Sequence, residues 1–204
     1  MKIVIVTDSK RDYTAKALMG QGAAFMIQES PPAGPNRTPE RSCTLGHQHA
    51  IHTASVRDPG AVVLEDDLIV SEDWQARLQE YLMPDPKGYA VALYVPDFCR
   101  ARCRCVKGTQ LEQYDHTRLV GTQAIWWGCD LAAKVSLWLA LYDDGGGRLP
   151  IDDALRLCPH LAGRFYATPV DLFDHKPGPS GIPSSKPHKA GRFTKGVPCG
   201  TSKS

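Results

Sequence analysis

An α/β fold with a mostly parallel central sheet is predicted by three features of the sequence. Short β-branched runs such as Lys2–Thr7 and Ala61–Leu64 read as buried strands. Amphipathic stretches lie between them. Gly- and Pro-rich turns, such as Asp58-Pro59-Gly60, punctuate the junctions. Strands alternating with helices argue for helices packed on both faces of one sheet.

Taken in order, Lys2–Thr7 is a central strand, followed by a short helix over Tyr13–Met19 and a second strand over Ala23–Ile27. Pro31, Pro32 and Pro35 place a surface loop over Glu29–Arg41. Ser42 caps a helix running to Val56. Ala61–Leu64 is a buried strand that ends on Glu65-Asp66-Asp67. Ser71 caps the next helix, with Glu72 and Asp73 in its first turn and Pro84 and Pro86 beyond its end. Tyr89–Val95 and Gly121–Trp127 are strands, Asp130–Tyr142 an amphipathic helix, Ile151–Leu157 a short helix and Arg164–Thr168 a late strand. Gly145-Gly146-Gly147 is a connector.

The chain has 204 residues, 42% of them apolar and 23% charged, which suits one soluble domain able to bury a full core. No apolar run reaches the ~18 residues of a membrane span, and the N-terminus turns acidic too soon for a signal peptide. A cytoplasmic location is expected, with the seven cysteines as reduced thiols. The net charge of +2 conceals an asymmetry. Residues 175–204 hold six Lys and Arg and no Asp or Glu, whereas residues 1–174 hold 18 Lys and Arg against 22 Asp and Glu. This divides the chain into a folded domain over 1–182 and an irregular basic tail over 183–204, rich in Pro, Gly and Ser. The tail is either a solvated terminus or a contact for phosphate.

Glu65-Asp66-Asp67 is the sharpest chemical feature. Three acids stand where a buried strand reaches its carboxyl end, the edge at which open α/β sheets bind ligands. Mg²⁺ or Mn²⁺ would offset their repulsion, since such cations are held by one or two carboxylates together with substrate phosphates. The alternative is a solvated acidic turn. Pro150-Ile151-Asp152-Asp153 is a second acidic pair, read either as a helix cap or as a general base. Asp171-Leu172-Phe173-Asp174-His175 offers a late His, either a metal ligand or a surface residue.

Read together, these stretches resemble a nucleotide-sugar-dependent glycosyltransferase of the GT-A fold, a Rossmann-like single domain, and are most similar to glycosyltransferase family 25, the lipooligosaccharide and collagen β-galactosyltransferases. Ser42-Cys43-Thr44-Leu45-Gly46-His47 is similar to that family's Gly-Cys-x-Leu-Ser-His segment, with Gly46 in place of its Ser. Leu64-Glu65-Asp66-Asp67 matches its Leu-Glu-Asp-Asp motif, Gly121-Thr122-Gln123-Ala124 its Gly-Thr-x-Ala strand, and Pro150-Ile151-Asp152-Asp153 its Pro-(Ile/Val)-Asp-Asp segment. The chain is shorter than typical members. The resemblance implies metal-dependent, inverting transfer of a sugar from a UDP-linked donor to an acceptor hydroxyl. It implies that Asp67 and His175 bind Mn²⁺ or Mg²⁺ and that Glu65 or Asp66 contacts the ribose or a metal-bound water. Thr7, Asp8 and Arg11 would receive the base and ribose of the donor, with Gly121 and Thr122 beside it. Asp153, or else Asp152, would be the general base. The acceptor is either a glycan sugar or a hydroxymethylated base in phage-type DNA, which must be flipped out of a duplex to react.

Two other readings use the same residues. One is a Mg²⁺-dependent phosphohydrolase or nuclease. The other is a non-enzymatic nucleic-acid-binding protein that uses the Cys- and Arg-rich loop Cys99-Arg100-Ala101-Arg102-Cys103-Arg104-Cys105 and the tail, with or without zinc. The cysteine spacing departs from paired C-x₂-C zinc sites, and thiols in a basic acceptor-binding loop are the simpler expectation. His47, His49 and His52 lie on one helix; His49 and His52, three apart, could share a metal, but a polar helix face with one active-site His is the simpler expectation. Trp126 and Trp127 are expected in the core, with one of them able to stack on a sugar or base.

Overall fold

The computed structural model describes residues 1–8, 12–35, 37–100, 103–144 and 149–175. Arg11, the Gly145–Gly147 connector and the tail over 183–204 lie outside the described residues, as do the remaining residues beyond 175.

The elements run β1 (Lys2–Thr7), α1 (Tyr13–Gly20), β2 (Met26–Glu29), α2 (Pro39–Ser55), β3 (Gly60–Glu65), β4 (Leu68–Val70), α3 (Trp74–Tyr81), β5 (Ala90–Ala92), α4 (Asp97–Arg100), β6 (Arg104–Cys105), β7 (Glu112–Gln113), β8 (Ala124–Gly128), α5 (Cys129–Asp144), α6 (Ile151–Arg156), β9 (Phe165–Ala167) and β10 (Phe173–His175). Eight strands form one sheet in the order β2-β1-β3-β8-β5-β9-β7-β6. β2, β1, β3, β5, β9 and β6 run one way, while β8 and β7 run the other. The sheet is therefore mixed but mostly parallel in direction, an arrangement compatible with a Rossmann-like fold. β4 and β10 form a separate antiparallel pair.

Side chains alternate across the sheet, and each face carries its own apolar cluster. Val4, Val6 and Val63 pack with Ile51 of α2 and with Val135 and Leu139 of α5. On the other face Ile3, Ile5, Val62 and Leu64 pack with Leu18 of α1 and with Trp74 and Leu78 of α3. Trp74 meets Phe173 of β10 edge-on, with ring centroids 4.9 Å apart, which fastens the β4–β10 pair to the second face.

The strand order places β2 and β3 on opposite sides of β1. The connection through α1 covers one face and the return through α2 covers the other. This makes a topological switch point between β1 and β3, and their carboxyl ends border the crevice that such a switch leaves open. Thr7 and Asp8 end one strand there, and Glu65-Asp66-Asp67 ends the other.

Several boundaries differ from the sequence expectation for identifiable reasons. α2 starts at Pro39 rather than after Ser42. Thr38 is its N-cap, its hydroxyl accepting from the Arg41 amide at 3.3 Å, and Pro occupies the first turn. Ser42 is buried inside the helix. α3 starts at Trp74, and the Ser71 hydroxyl donates instead to the Leu172 carbonyl at 2.9 Å, tying the approach to α3 to the strand after it in space. The second strand lies at Met26–Glu29 because its backbone pairs with Val4–Thr7 at the sheet edge, where Ile27 stays exposed. Trp126 and Trp127 are both buried within β8, so neither offers a stacking face. β4, β6, β7 and β10 are too short for an apolar period to announce them.

β8 ends at Gly128, where an added Cβ would sit 2.1 Å from the Pro86 carbonyl oxygen and 2.5 Å from that of Lys87. Both are backbone atoms and cannot swing aside. Gly128→Ala is expected to cost about 1–3 kcal/mol, as overpacking of a core does, and to lower the midpoint of a thermal melt. An unchanged midpoint would show that the 86–87 turn yields freely.

Candidate functional site

The crevice at the ends of β1 and β3 is built around the Glu65-Asp66-Asp67 turn. Thr14, fully buried near the start of α1, pins this turn three times. Its amide donates to the Asp66 carbonyl at 3.2 Å, its hydroxyl donates to the Glu65 carbonyl at 2.7 Å, and the same oxygen accepts from the Leu68 amide at 2.9 Å. The Glu65 amide donates to the Gln123 carbonyl at 2.8 Å, so the strand end is held from both sides. The Thr7 hydroxyl donates to an Asp66 carboxylate oxygen.

The acids are buried, not spread over a solvated turn. Asp66 and Asp67 both have little solvent exposure. Burial pushes the Asp66 carboxyl up, the Thr7 hydrogen bond opposes this, and the charges of Asp67, Asp8 and Glu65 raise it further, to about 6. Asp8, Glu65, Asp66 and Asp67 thus act on one another electrostatically. This donor set fits a hard divalent cation, which takes carboxylate oxygens and relieves like-charge crowding. Among the described residues no three His, Cys, Asp or Glu side chains converge into a ready-made metal cage. A cation held by one or two carboxylates and completed by ligand phosphates needs no such cage.

His47 is the residue to which sequence reasoning gave no role of its own, expecting only that one His of this helix would belong to the site. It is 2% exposed, on the inner face of α2. Its Nε2 lies 3.4 Å from Glu65 Oε1 and 3.4 Å from the Thr122 hydroxyl, which itself donates to Glu65 Oε1 at 3.0 Å. Burial disfavours the charged imidazole, but hydrogen bonds to Cys43 and Glu65 and the charge of Glu65 outweigh it, raising the pKa to about 10. His47 is therefore an imidazolium paired with Glu65. The signal that pointed to it was its place in the segment Ser42–His47; helical periodicity alone marks it only as a buried position.

The acidic pair of α6 reaches the same region. The Gly121 amide, at a glycine with φ of 75°, donates to Asp152 Oδ2 at 3.5 Å. The Thr44 hydroxyl donates to the Leu149 carbonyl at 3.1 Å, holding the approach to α6 against α2. Asp153 is turned toward Arg156, which also lies 3.8 Å from Asp152 and whose Nε donates to the Leu119 carbonyl. No side-chain cap hydrogen bond is made at the start of α6, so its acids do not serve as an N-cap. His47, Glu65, Thr122, Gly121 and Asp152 thus form one connected chain of contacts drawn from four separate segments.

The remaining site residues are placed as follows. Thr7 and Asp8 stand at the end of β1 beside Asp66. Arg11 lies outside the described residues. The His175 backbone is paired with Leu68 in the β4–β10 ladder, next to Asp67 in the chain; its side chain is not among those described. Arg100 is not an open cation for an acceptor. It pairs with Asp171, lies 3.6 Å from Glu112, and donates to the Thr168 carbonyl at 2.7 Å. Cys99 is buried and free, and burial pushes the half-buried Cys103 thiol up to about 12. Cys105 is disulfide-bonded, against the expectation that all seven cysteines are reduced. His49 and His52 lie on the exposed side of α2.

No helix among the described residues is long and apolar enough to cross a membrane. Comparison of the chain with protein-family models and with curated protein sequences yields no match.

The His47 pairing makes a pH prediction. Its pKa is raised from 6.5 to about 10 on folding, so its contribution is fully present below pH 6.5 and is lost as pH rises toward 10. The thermal midpoint should fall across that window, and His47→Gln should flatten the slope while lowering stability at pH 6. A variant with the wild-type slope would show that the imidazole is neutral in the folded chain.

Proposed function

We propose that the chain is a metal-dependent, inverting glycosyltransferase that moves a hexosyl group from a UDP-linked sugar to an acceptor hydroxyl. The observation that supports this reading is the convergence of the four family-like segments at the switch-point crevice, where His47, Glu65, Thr122 and Asp152 are linked through contacts of 3.0–3.5 Å. A solvated acidic turn has no need of a buried imidazolium behind it.

In this reading Asp67 and His175 hold Mn²⁺ or Mg²⁺. When bound, the cation stabilises the negative charge that grows on the departing diphosphate. Thr7, Asp8 and Arg11 receive the nucleoside, and Asp66 or Glu65 contacts its ribose. Thr122 and Gly121 line the floor beside the sugar. The acceptor oxygen attacks the anomeric carbon from the face opposite the diphosphate. Its new C–O bond forms as the bond to the diphosphate oxygen breaks, and configuration inverts. The acceptor proton passes to a carboxylate. Asp152, turned toward the Gly121–Thr122 segment, is assigned this role, with Asp153 as the alternative. The acceptor is a glycan sugar or a hydroxymethylated base in DNA.

The test is release of nucleoside diphosphate from a panel of nucleotide sugars with Mn²⁺, with and without chelator, in the presence of hydroxymethylated DNA, plain DNA, a glycan acceptor or none. Chelator-sensitive release from one sugar is expected, and the acceptor that stimulates it identifies the substrate class. Asp67→Ala should abolish turnover and metal-dependent nucleotide binding. Asp152→Asn should keep donor binding and slow transfer by about 10²–10⁴-fold, the usual contribution of a general base. Phosphate release or DNA cleavage without any sugar donor would replace this reading with a phosphohydrolase or nuclease.

A further inference from the structure

The Cys- and Arg-rich loop turns its first arginine into the protein. Only 13% of the Arg100 side chain is exposed. α4 carries it there in a single turn begun at Pro96, whose carbonyl accepts from the Arg100 amide at 3.0 Å. One terminal nitrogen of the guanidinium donates to the Thr168 carbonyl at 2.7 Å and lies 3.6 Å from Glu112, and the other pairs with Asp171. The Asp171 carboxylate also accepts from the Val95 amide at 3.0 Å. One planar fork thus holds two points, three residues apart, of the same segment.

That segment leads from β9 into β10. The Thr168 amide donates to the Ala92 carbonyl at 3.0 Å and the Leu172 amide to the Leu93 carbonyl at 2.9 Å, which lays the segment along the end of β5. β10 follows at once and pairs with β4, setting Phe173 opposite Val70 and His175 opposite Leu68. Both strands have three residues and stand outside the main sheet. A pair of strands this short does not hold its own register, and a slip of one residue turns every side chain to the opposite face. The register must come from the approach. Ser71 grips the Leu172 carbonyl from the β4 side, and Arg100 grips Thr168 and Asp171 from the β5 side. Charges buried this far add little net stability, because desolvation cancels most of their attraction. A rigid guanidinium fork instead fixes the path of the backbone that it bridges.

We infer that Arg100 is a positioning residue for the cation end of the crevice: by clamping Thr168 and Asp171 it holds β10 in the register that sets the His175 backbone opposite Leu68, next to Asp67. On the reading of Asp67 and His175 as cation ligands, which this role presupposes, the loop acts on the cation from outside its ligand shell. Residues that orient metal ligands from outside typically change metal affinity about 10–100-fold when replaced. An arginine that touched the acceptor would act on acceptor affinity instead.

The experiment is a titration of the full-length chain with Mn²⁺ in the presence of UDP, following free Mn²⁺ by its paramagnetic resonance signal. Removing Arg100 alone takes a counter-charge from the buried Asp171, so it is replaced together with its partner. Arg100→Met with Asp171→Asn leaves no charge at either position and keeps an acceptor for the Val95 amide. This double variant should bind Mn²⁺ about tenfold more weakly, with its KM for Mn²⁺ raised and its KM for acceptor unchanged. Arg100→Lys keeps the charge but loses the fork, should fall between the two, and decides the matter by the same readouts if the double variant gives no cooperative melt. A general loosening of the fold would lower the melting midpoint and leave Mn²⁺ affinity below the melt as in wild type; that result overturns the inference and leaves the reading of Asp67 and His175 intact. A raised acceptor KM with unchanged Mn²⁺ affinity also overturns it, and returns the loop to acceptor binding. A wild-type chain that takes up no Mn²⁺ overturns the cation reading itself, and the role of Arg100 with it.

Discussion

Carboxylates at Asp8, Glu65, Asp66 and Asp67 crowd one end of the sheet, and their mutual repulsion is the constraint around which the neighbouring elements are arranged. A strand end could shed such charge into solvent. Here the turn is instead strapped inward by Thr14 and Thr7, and the Asp66 carboxyl is raised to about 6 by burial and by the charges around it. Holding an acid in that state works against folding. The sheet compensates through the apolar faces on either side of β1 and β3, which bury their side chains almost completely.

The compensation is also electrostatic. α2 carries no cation on its inner face except His47, and that one is aimed at Glu65. A buried charge pair contributes little net stability, because desolvation takes back most of the attraction. Its effect is positional: removing either partner would leave the other buried without its counter-charge. Thr122 completes the arrangement by donating to the same carboxylate oxygen that faces the imidazole. Glu65 is thereby committed to the protein interior on one side, while Asp66 and Asp67 continue the turn toward the crevice.

Much of this was legible in the sequence, and the parts that were not share a physical cause. Lys2–Thr7 and Ala61–Leu64 announced themselves as buried parallel strands because both faces of the sheet are covered, so nearly every residue is apolar. The position of Glu65-Asp66-Asp67 at a strand end was equally readable. The start of α2 was misplaced because the Pro-rich loop masked the Thr38-Pro39-Glu40 signal, which has the expected chemistry of a helix start. β4 and β10 were not foreseen because three-residue strands carry no period. Their pairing is what brings the Asp174-His175 segment alongside Leu68. The contacts of His47 with Glu65 and Thr122 lie 18 and 75 residues apart in the chain, and no local pattern encodes them.

On the reading proposed above, this arrangement has a consequence for the order of binding. A nucleotide sugar brings a diphosphate to an edge already crowded with carboxylates. His47 is turned to Glu65 and lies behind the turn, so it cannot also meet the phosphates. The donor then depends on a cation that accompanies it, since the attraction between diphosphate and metal must exceed the repulsion from Asp8 and Asp66. Donor and cation affinity are coupled by that requirement, each raising the other by the same factor. On that reading the crevice would exclude free diphosphates in the absence of metal, and the same negative edge that repels them would draw the cation in.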